Sequence, residues 1–151
     1  MALMAGCFRP MLAEQSPSQA VVGEIVLPDI DSRLSRVLVR RLEDRLGRGG
    51  PNAVYRLEVD QQLAKRGLLV AQDNAITRIQ LLASATYRLF RVGEAEPALS
   101  GTVRAEAGYD ETTSLFASRA AERDVEERLS REIAEQIARR ILARAGRLQP
   151  A

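Results

Sequence analysis

Apolar positions recur every fourth residue along the last quarter of the chain and every second residue through its middle, and this change of period lays out the elements. Val125, Leu129, Ile133, Ile137 and Ile141 stand four apart, Ala121 and Ala145 extend the series, and Ala134, Ala138 and Leu142 lie beside its later half. This spacing predicts one amphipathic helix over 113–146. Each helical residue advances by about 100°, so strict i+4 spacing drifts by about 40° per step and the stripe winds obliquely around the cylinder. A slanted stripe of this kind suits a twisted sheet. Glu122, Asp124, Glu126 and Glu127 crowd the first half of the helix and Arg139, Arg140, Arg144 and Arg147 its end, the arrangement that complements the helix dipole. Glu127 with Arg131 and Glu135 with Arg139 are expected to pair at i,i+4 on the outer face.

Upstream, Val21, Val22, Ile25, Val26 and Leu27 form a short apolar run ended by Pro28, which predicts a first strand. Asp29-Ile30-Asp31-Ser32 supplies cap chemistry, and Leu34, Leu38, Leu42 and Leu46 mark one face of a first helix with Gly47 after it. Arg48-Gly49-Gly50-Pro51-Asn52 is a turn. From Tyr55 the period becomes two: Tyr55, Leu57 and Val59 alternate with Arg56, Glu58 and Asp60. Lys65-Arg66-Gly67 is either a bulge or a loop tip, and Gln72-Asp73-Asn74 reads as a turn. Thr77 to Val92 is a long strand with Ile79, Leu81, Ala83, Ala85, Tyr87 and Leu89 on one face, and Leu99 to Tyr109 returns with Val103, Ala105, Ala107 and Tyr109 inward. The two form an antiparallel hairpin across a turn at 93–97. The small inward residues leave room for the long helix. The expected fold is α+β, a two-layer sandwich in the order β-α-β-β-β-α, with two helices on one face of a mostly antiparallel sheet.

Composition removes several classes of function. The chain has 151 residues, enough for one self-sufficient core, and its hydrophobic share of 46% is ordinary for a globular domain. There is no histidine and only one cysteine, Cys7, so zinc clusters, Ser-His-Asp or Cys-His constellations and internal disulfides are excluded. No spacing singles out a pair of carboxylates, and neither an enzyme, a metal site nor a cofactor is expected. Basic and acidic residues number 22 and 20 and are interleaved, which argues against a nucleic-acid partner.

At the start, Met4-Ala5-Gly6-Cys7 resembles a bacterial lipobox, whose small residues before the cysteine admit a signal peptidase and leave the cysteine as a lipidated terminus. A secretory signal needs a charged start and an apolar run of about 7–15 residues. Either an upstream signal precedes Met1 or the cysteine is incidental. Residues 8–19, interrupted by Pro10 and Pro17, read as a tether. The expected organisation is a signal remnant over 1–6, a tether after a lipidated Cys7 over 7–20, and the α/β domain over 21–147.

Several segments in order resemble the LPS-assembly lipoprotein family LptE in its alphaproteobacterial form. They are Gly6-Cys7-Phe8-Arg9-Pro10-Met11-Leu12, Tyr55-Arg56-Leu57-Glu58-Val59, Ala85-Thr86-Tyr87-Arg88-Leu89, Ala120-Ala121-Glu122-Arg123-Asp124, and the run from Ile133 to Arg140. The resemblance implies a non-catalytic lipoprotein at the periplasmic face of the outer membrane, anchored in the inner leaflet through Cys7. Its implied partners are an LptD-type β-barrel and lipopolysaccharide. It also implies basic side chains at one end of the sheet and helix that contact lipopolysaccharide, here Arg119 before the Ala-Ala-Glu-Arg-Asp run and Arg78 at the start of the long strand. The planar guanidinium fork suits phosphate. Two competing readings are an accessory lipoprotein of an ABC-type lipid transport system and a cytoplasmic α/β binding module.

Overall fold

The computed structural model describes residues 18–70 and 77–148. Helix α1, Arg33–Leu46, starts at Ser32 with a reciprocal cap: the Ser32 hydroxyl accepts from the Ser35 amide at 3.1 Å, and the Ser35 hydroxyl accepts from the Ser32 amide at 2.9 Å. Two of the four amide donors that any helix start leaves unpaired are thereby satisfied. Leu38, Val39, Leu42 and Leu46 are its buried face.

The strand before it is shorter than the apolar run suggested. β1 is only Ile25–Val26, and Val21 and Val22 lie in turns. Gly23 explains this: it adopts φ +81°, a conformation that disfavours side chains, and its amide donates to the Leu46 carbonyl at 2.7 Å. The chain is bent onto the end of α1 there, and ladder pairing begins only at Ile25, opposite Tyr55. β1 runs parallel to β2, as a strand joined to its neighbour through a crossover helix can.

β2 (Tyr55–Val70), β3 (Thr77–Arg91) and β4 (Pro97–Glu111) complete a four-stranded sheet in the order β1-β2-β3-β4, with antiparallel pairing from β2 onward. Lys65-Arg66-Gly67 is not a loop tip. Strand β2 continues through it, with a register shift between Gly67 and Leu69, which is a bulge. The expected turn at 72–74 lies outside the described residues. On β3 the alternation holds throughout: Ile79, Leu81, Ala83, Ala85, Tyr87 and Leu89 are all buried.

Helix α2, Leu115–Ala143, buries Val125, Leu129, Ile133, Ile137 and Ile141 together with Ala134, Ala138 and Leu142. Ala83 and Ala85 lie beneath it in the same core, so the helix approaches the sheet closely. α1 and α2 cover one face of the sheet, as the order of elements suggested. The long helix ends earlier than its periodicity. Arg144 leaves helical geometry at ψ 5°, and a short turn α3, Ala145–Leu148, follows. The break tucks Leu148 into the core, where its carbonyl accepts from the Tyr55 hydroxyl at 2.6 Å and from Arg91.

Glu127 does approach Arg131, at 3.9 Å, but Glu135 does not pair with Arg139 on an outer face. It points at α1 and is met by Arg41 at 2.6 Å and Arg45 at 3.4 Å, while Arg139 lies 3.7 Å from Glu132. Arg33 at the other end of α1 reaches Glu126 and Glu127. These pairs set α1 alongside α2 running in the same direction. At the sheet's outer strand, Gln136 donates to the Arg104 carbonyl at 3.0 Å and Arg140 to the Thr102 carbonyl at 2.7 Å.

Candidate functional site

One end of the sandwich gathers the far end of β2, the start of β3, the end of β4 and the start of α2. Ser114 caps α2 by accepting from the Ala117 amide at 3.3 Å, and buried Ser118 accepts from the Thr112 amide at 2.9 Å and donates to the Thr112 carbonyl at 3.2 Å. The link from β4 into α2 is therefore held by two hydroxyls. This end carries Arg119 and Arg78, the two arginines that the resemblance singles out.

Arg119 lies on the first turns of α2 and is exposed, and no ion pair engages its guanidinium among the described residues. Its carbonyl accepts from Arg123 Nε at 3.2 Å, which places the two arginines one turn apart on the same helix face. With Glu122 and Glu126 they line a shallow groove of about 310 Å³. Both glutamates are engaged elsewhere: Glu122 by Lys65 at 3.2 Å and Glu126 by Arg33. The guanidinium groups of Arg119 and Arg123 thus have no ion pair among the described residues.

Arg78 is at the same end of the molecule. It pairs with Asp110 across the β3–β4 ladder at 3.1 Å, half exposed on both sides, a contact of the kind that contributes at most about 1 kcal/mol and exchanges readily. Because Ile79 points to the core, Arg78 points to the sheet face that has no helices. Arg78 and Arg119 therefore flank one end from opposite sides of the sheet and do not converge on one atom. Cys7 lies outside the described residues.

Lys65 joins this end without having been singled out by its neighbours in sequence. It sits over the Tyr109 ring at 5.4 Å and against Glu122. The Tyr109 phenol first, and then Glu122, hold its ammonium above the ordinary value. Its partner is 57 residues away, a distance that local periodicity cannot bridge. Leu115 and Phe116, exposed at the start of α2, precede its apolar stripe and are out of phase with it.

The helix-free face of the sheet holds a second concavity of about 470 Å³. Outward-facing Gln62, Ala64, Leu82, Ser84, Arg104 and Glu106 form its surface. Among the described residues no group of three or more His, Cys, Asp or Glu is arranged to hold a metal ion, and no helix is long and apolar enough to cross a membrane.

Comparison with known proteins finds one family and several similar folds. A family model described as "LptE: Lipopolysaccharide-assembly" matches residues 22–141. No curated protein sequence matches the chain. Among solved structures, a candidate lipoprotein from Caulobacter crescentus superposes with a TM-score of 0.67 at 23% identity, covering 85% of this chain and 96% of that one. A minor lipoprotein from Acinetobacter baumannii gives 0.59 at 19% identity over 82% and 93%. An uncharacterized lipoprotein B from Nitrosomonas europaea gives 0.60 at 16% identity over 81% and 82%. At these identities the three share the fold.

Proposed function

Because the chain belongs to the LptE lipopolysaccharide-assembly family, a family of non-catalytic lipoproteins, we propose that it is anchored through Cys7 at the periplasmic face of the outer membrane. There it associates with an LptD-type β-barrel and contacts lipopolysaccharide phosphate at the end of the sandwich carrying Arg119 and Arg78. The observation that carries the lipopolysaccharide contact is the unengaged, exposed guanidinium of Arg119 beside Arg123, in a groove whose two carboxylates already have basic partners. A phosphate there gains two planar donors without first breaking an ion pair. Arg78 would exchange Asp110 for a phosphate oxygen. The helix-free sheet face, with both charge signs and a shallow concavity, suits the wet polar interface that a barrel lumen offers.

The test uses the full chain. Wild type should co-purify with the barrel from envelope extracts and take up a fatty-acid label lost in Cys7→Ser. Arg119→Glu with Arg78→Glu should weaken lipopolysaccharide binding by about tenfold or more while leaving barrel capture intact, since charge reversal repels phosphate and leaves the core untouched. A double variant that binds as wild type does would remove these arginines from the site. A lipidated wild type that captures no barrel would overturn the reading itself.

A further inference from the structure

Leu115 and Phe116 are the two most exposed large hydrophobic side chains among the described residues, at 64% and 80%, and they are adjacent in sequence. Neither belongs to the core cluster. Scattered exposed hydrophobics need no explanation, but this pair is fixed in place. The caps made by Ser114 and Ser118 pin the turn that bears it, so the two side chains project from an ordered element. Directly behind them, at i+4 from Leu115 and i+3 from Phe116, stands Arg119, with Arg123 a further turn along. An apolar tip backed at helical spacing by two unneutralised guanidinium groups matches a ligand that carries hydrocarbon and phosphate side by side.

We propose that Leu115 and Phe116 form an acyl-chain contact for lipopolysaccharide, with Arg119 and Arg123 on the phosphates of the same molecule. This rests on the reading that lipopolysaccharide is the ligand of this end and deepens it. The two guanidinium groups one turn apart behind the apolar pair favour a single amphiphile that carries phosphate beside its hydrocarbon. The chain leaves the described domain toward Cys7 from Ser18, beside the Leu46 end of α1 and β1. The tip lies at the other end: β2 runs from Tyr55, the partner of β1, to Lys65, the partner of Glu122, ten residues or about 33 Å at strand rise. The apolar pair and Ser18 therefore stand at opposite ends of the sandwich.

The experiment measures binding of the purified full chain to three probes: intact lipopolysaccharide, the same material with its acyl chains removed, and phosphatidylglycerol vesicles. Wild type should bind intact lipopolysaccharide at least about tenfold more tightly than the deacylated form, a ratio smaller than burial of one large apolar side chain can supply. Leu115→Ser with Phe116→Ser should bring affinity for the intact molecule down to the deacylated level and leave deacylated binding unchanged, with thermal melts confirming the fold. Phe116→Leu should stay within about twofold of wild type, because apolar area is what counts. Arg119→Glu should weaken both forms. Equal binding of intact lipopolysaccharide by wild type and the serine variant overturns the acyl contact while the phosphate reading survives. Capture of vesicles by wild type, lost in the serine variant, overturns it in favour of a bilayer-docking surface. Failure of wild type to bind either form of lipopolysaccharide overturns the reading on which the proposal rests.

Discussion

Replacing Ile133 with aspartate tests the phase of α2 against the sheet, because Ile133 is fully buried and its near neighbour Arg131 is exposed. Loss of the isoleucine forfeits about 2–3 kcal/mol of apolar burial, and a polar group left there without a partner adds about 1–3 kcal/mol. The expected loss is about 4 kcal/mol, a large share of the roughly 5–15 kcal/mol that holds a domain together. Arg131→Asp loses only a 3.9 Å contact with Glu127 and introduces a like charge beside it, for under about 1 kcal/mol. Urea unfolding followed by circular dichroism reads the difference, and a thermal scan should separate the two midpoints by about 6–12 °C. The buried carboxyl also predicts a pH signature. Burial raises its folded-state pKa above the unfolded value of about 3.9, so the unfolded chain ionises first. The penalty in Ile133→Asp should therefore grow as pH rises from about 4 and level off above the raised folded value. Matching midpoints for the two variants, or a penalty independent of pH, would refute the assigned phase.

A methyl group added at Gly101 would come within 2.8 Å of the hydroxyl of fully buried Tyr87, so Gly101→Ala should cost about 1–3 kcal/mol by overpacking. Gly50→Ala, with nothing within 4 Å, should be neutral or slightly stabilising in the same melts. The Lys65 ammonium, raised first by Tyr109 and then by Glu122, stabilises the fold fully below its ordinary value of 10.5 and loses that contribution as pH rises through the higher folded value. Wild type should accordingly lose its advantage over Lys65→Met above about pH 10.5, and unfolding midpoints taken across that range would show it.

Much of the architecture was legible because faces are local properties. The alternation on β3 and the i+4 stripe on α2 each report which side is buried, and the alanines at 83 and 85 report how near the covering helix lies. Which element a polar face meets is not local. Glu135 has the same spacing to Arg139 that Glu127 has to Arg131, yet α1 arrives beside it and Arg41 and Arg45 take the carboxylate. The short β1 has the same origin, since Val21 and Val22 look like strand until the end of α1 accepts the Gly23 amide. At the candidate site, arginine at 119 could be read from its motif, but the engagement of Glu122 and Glu126 that leaves it unneutralised depends on Lys65 and Arg33, 57 and 93 positions from their partners. Leu115 and Phe116 carry no periodic signal, because exposed apolar residues at a helix start do not repeat.

The two hydrogen bonds from α2 to the carbonyls of Thr102 and Arg104 bear on how the molecule keeps its own company. β4 is the last strand of the sheet and 15 residues long, and an outer strand of that length is a template on which a foreign strand can grow. Gln136 and Arg140 occupy the acceptors at its middle, so an incoming strand would have to displace a charged side chain to form continuous pairing. Tolerance of high local concentration thus falls to the same helix that closes the core: its apolar stripe faces the sheet, and two polar residues on its flank finish the sheet's open margin.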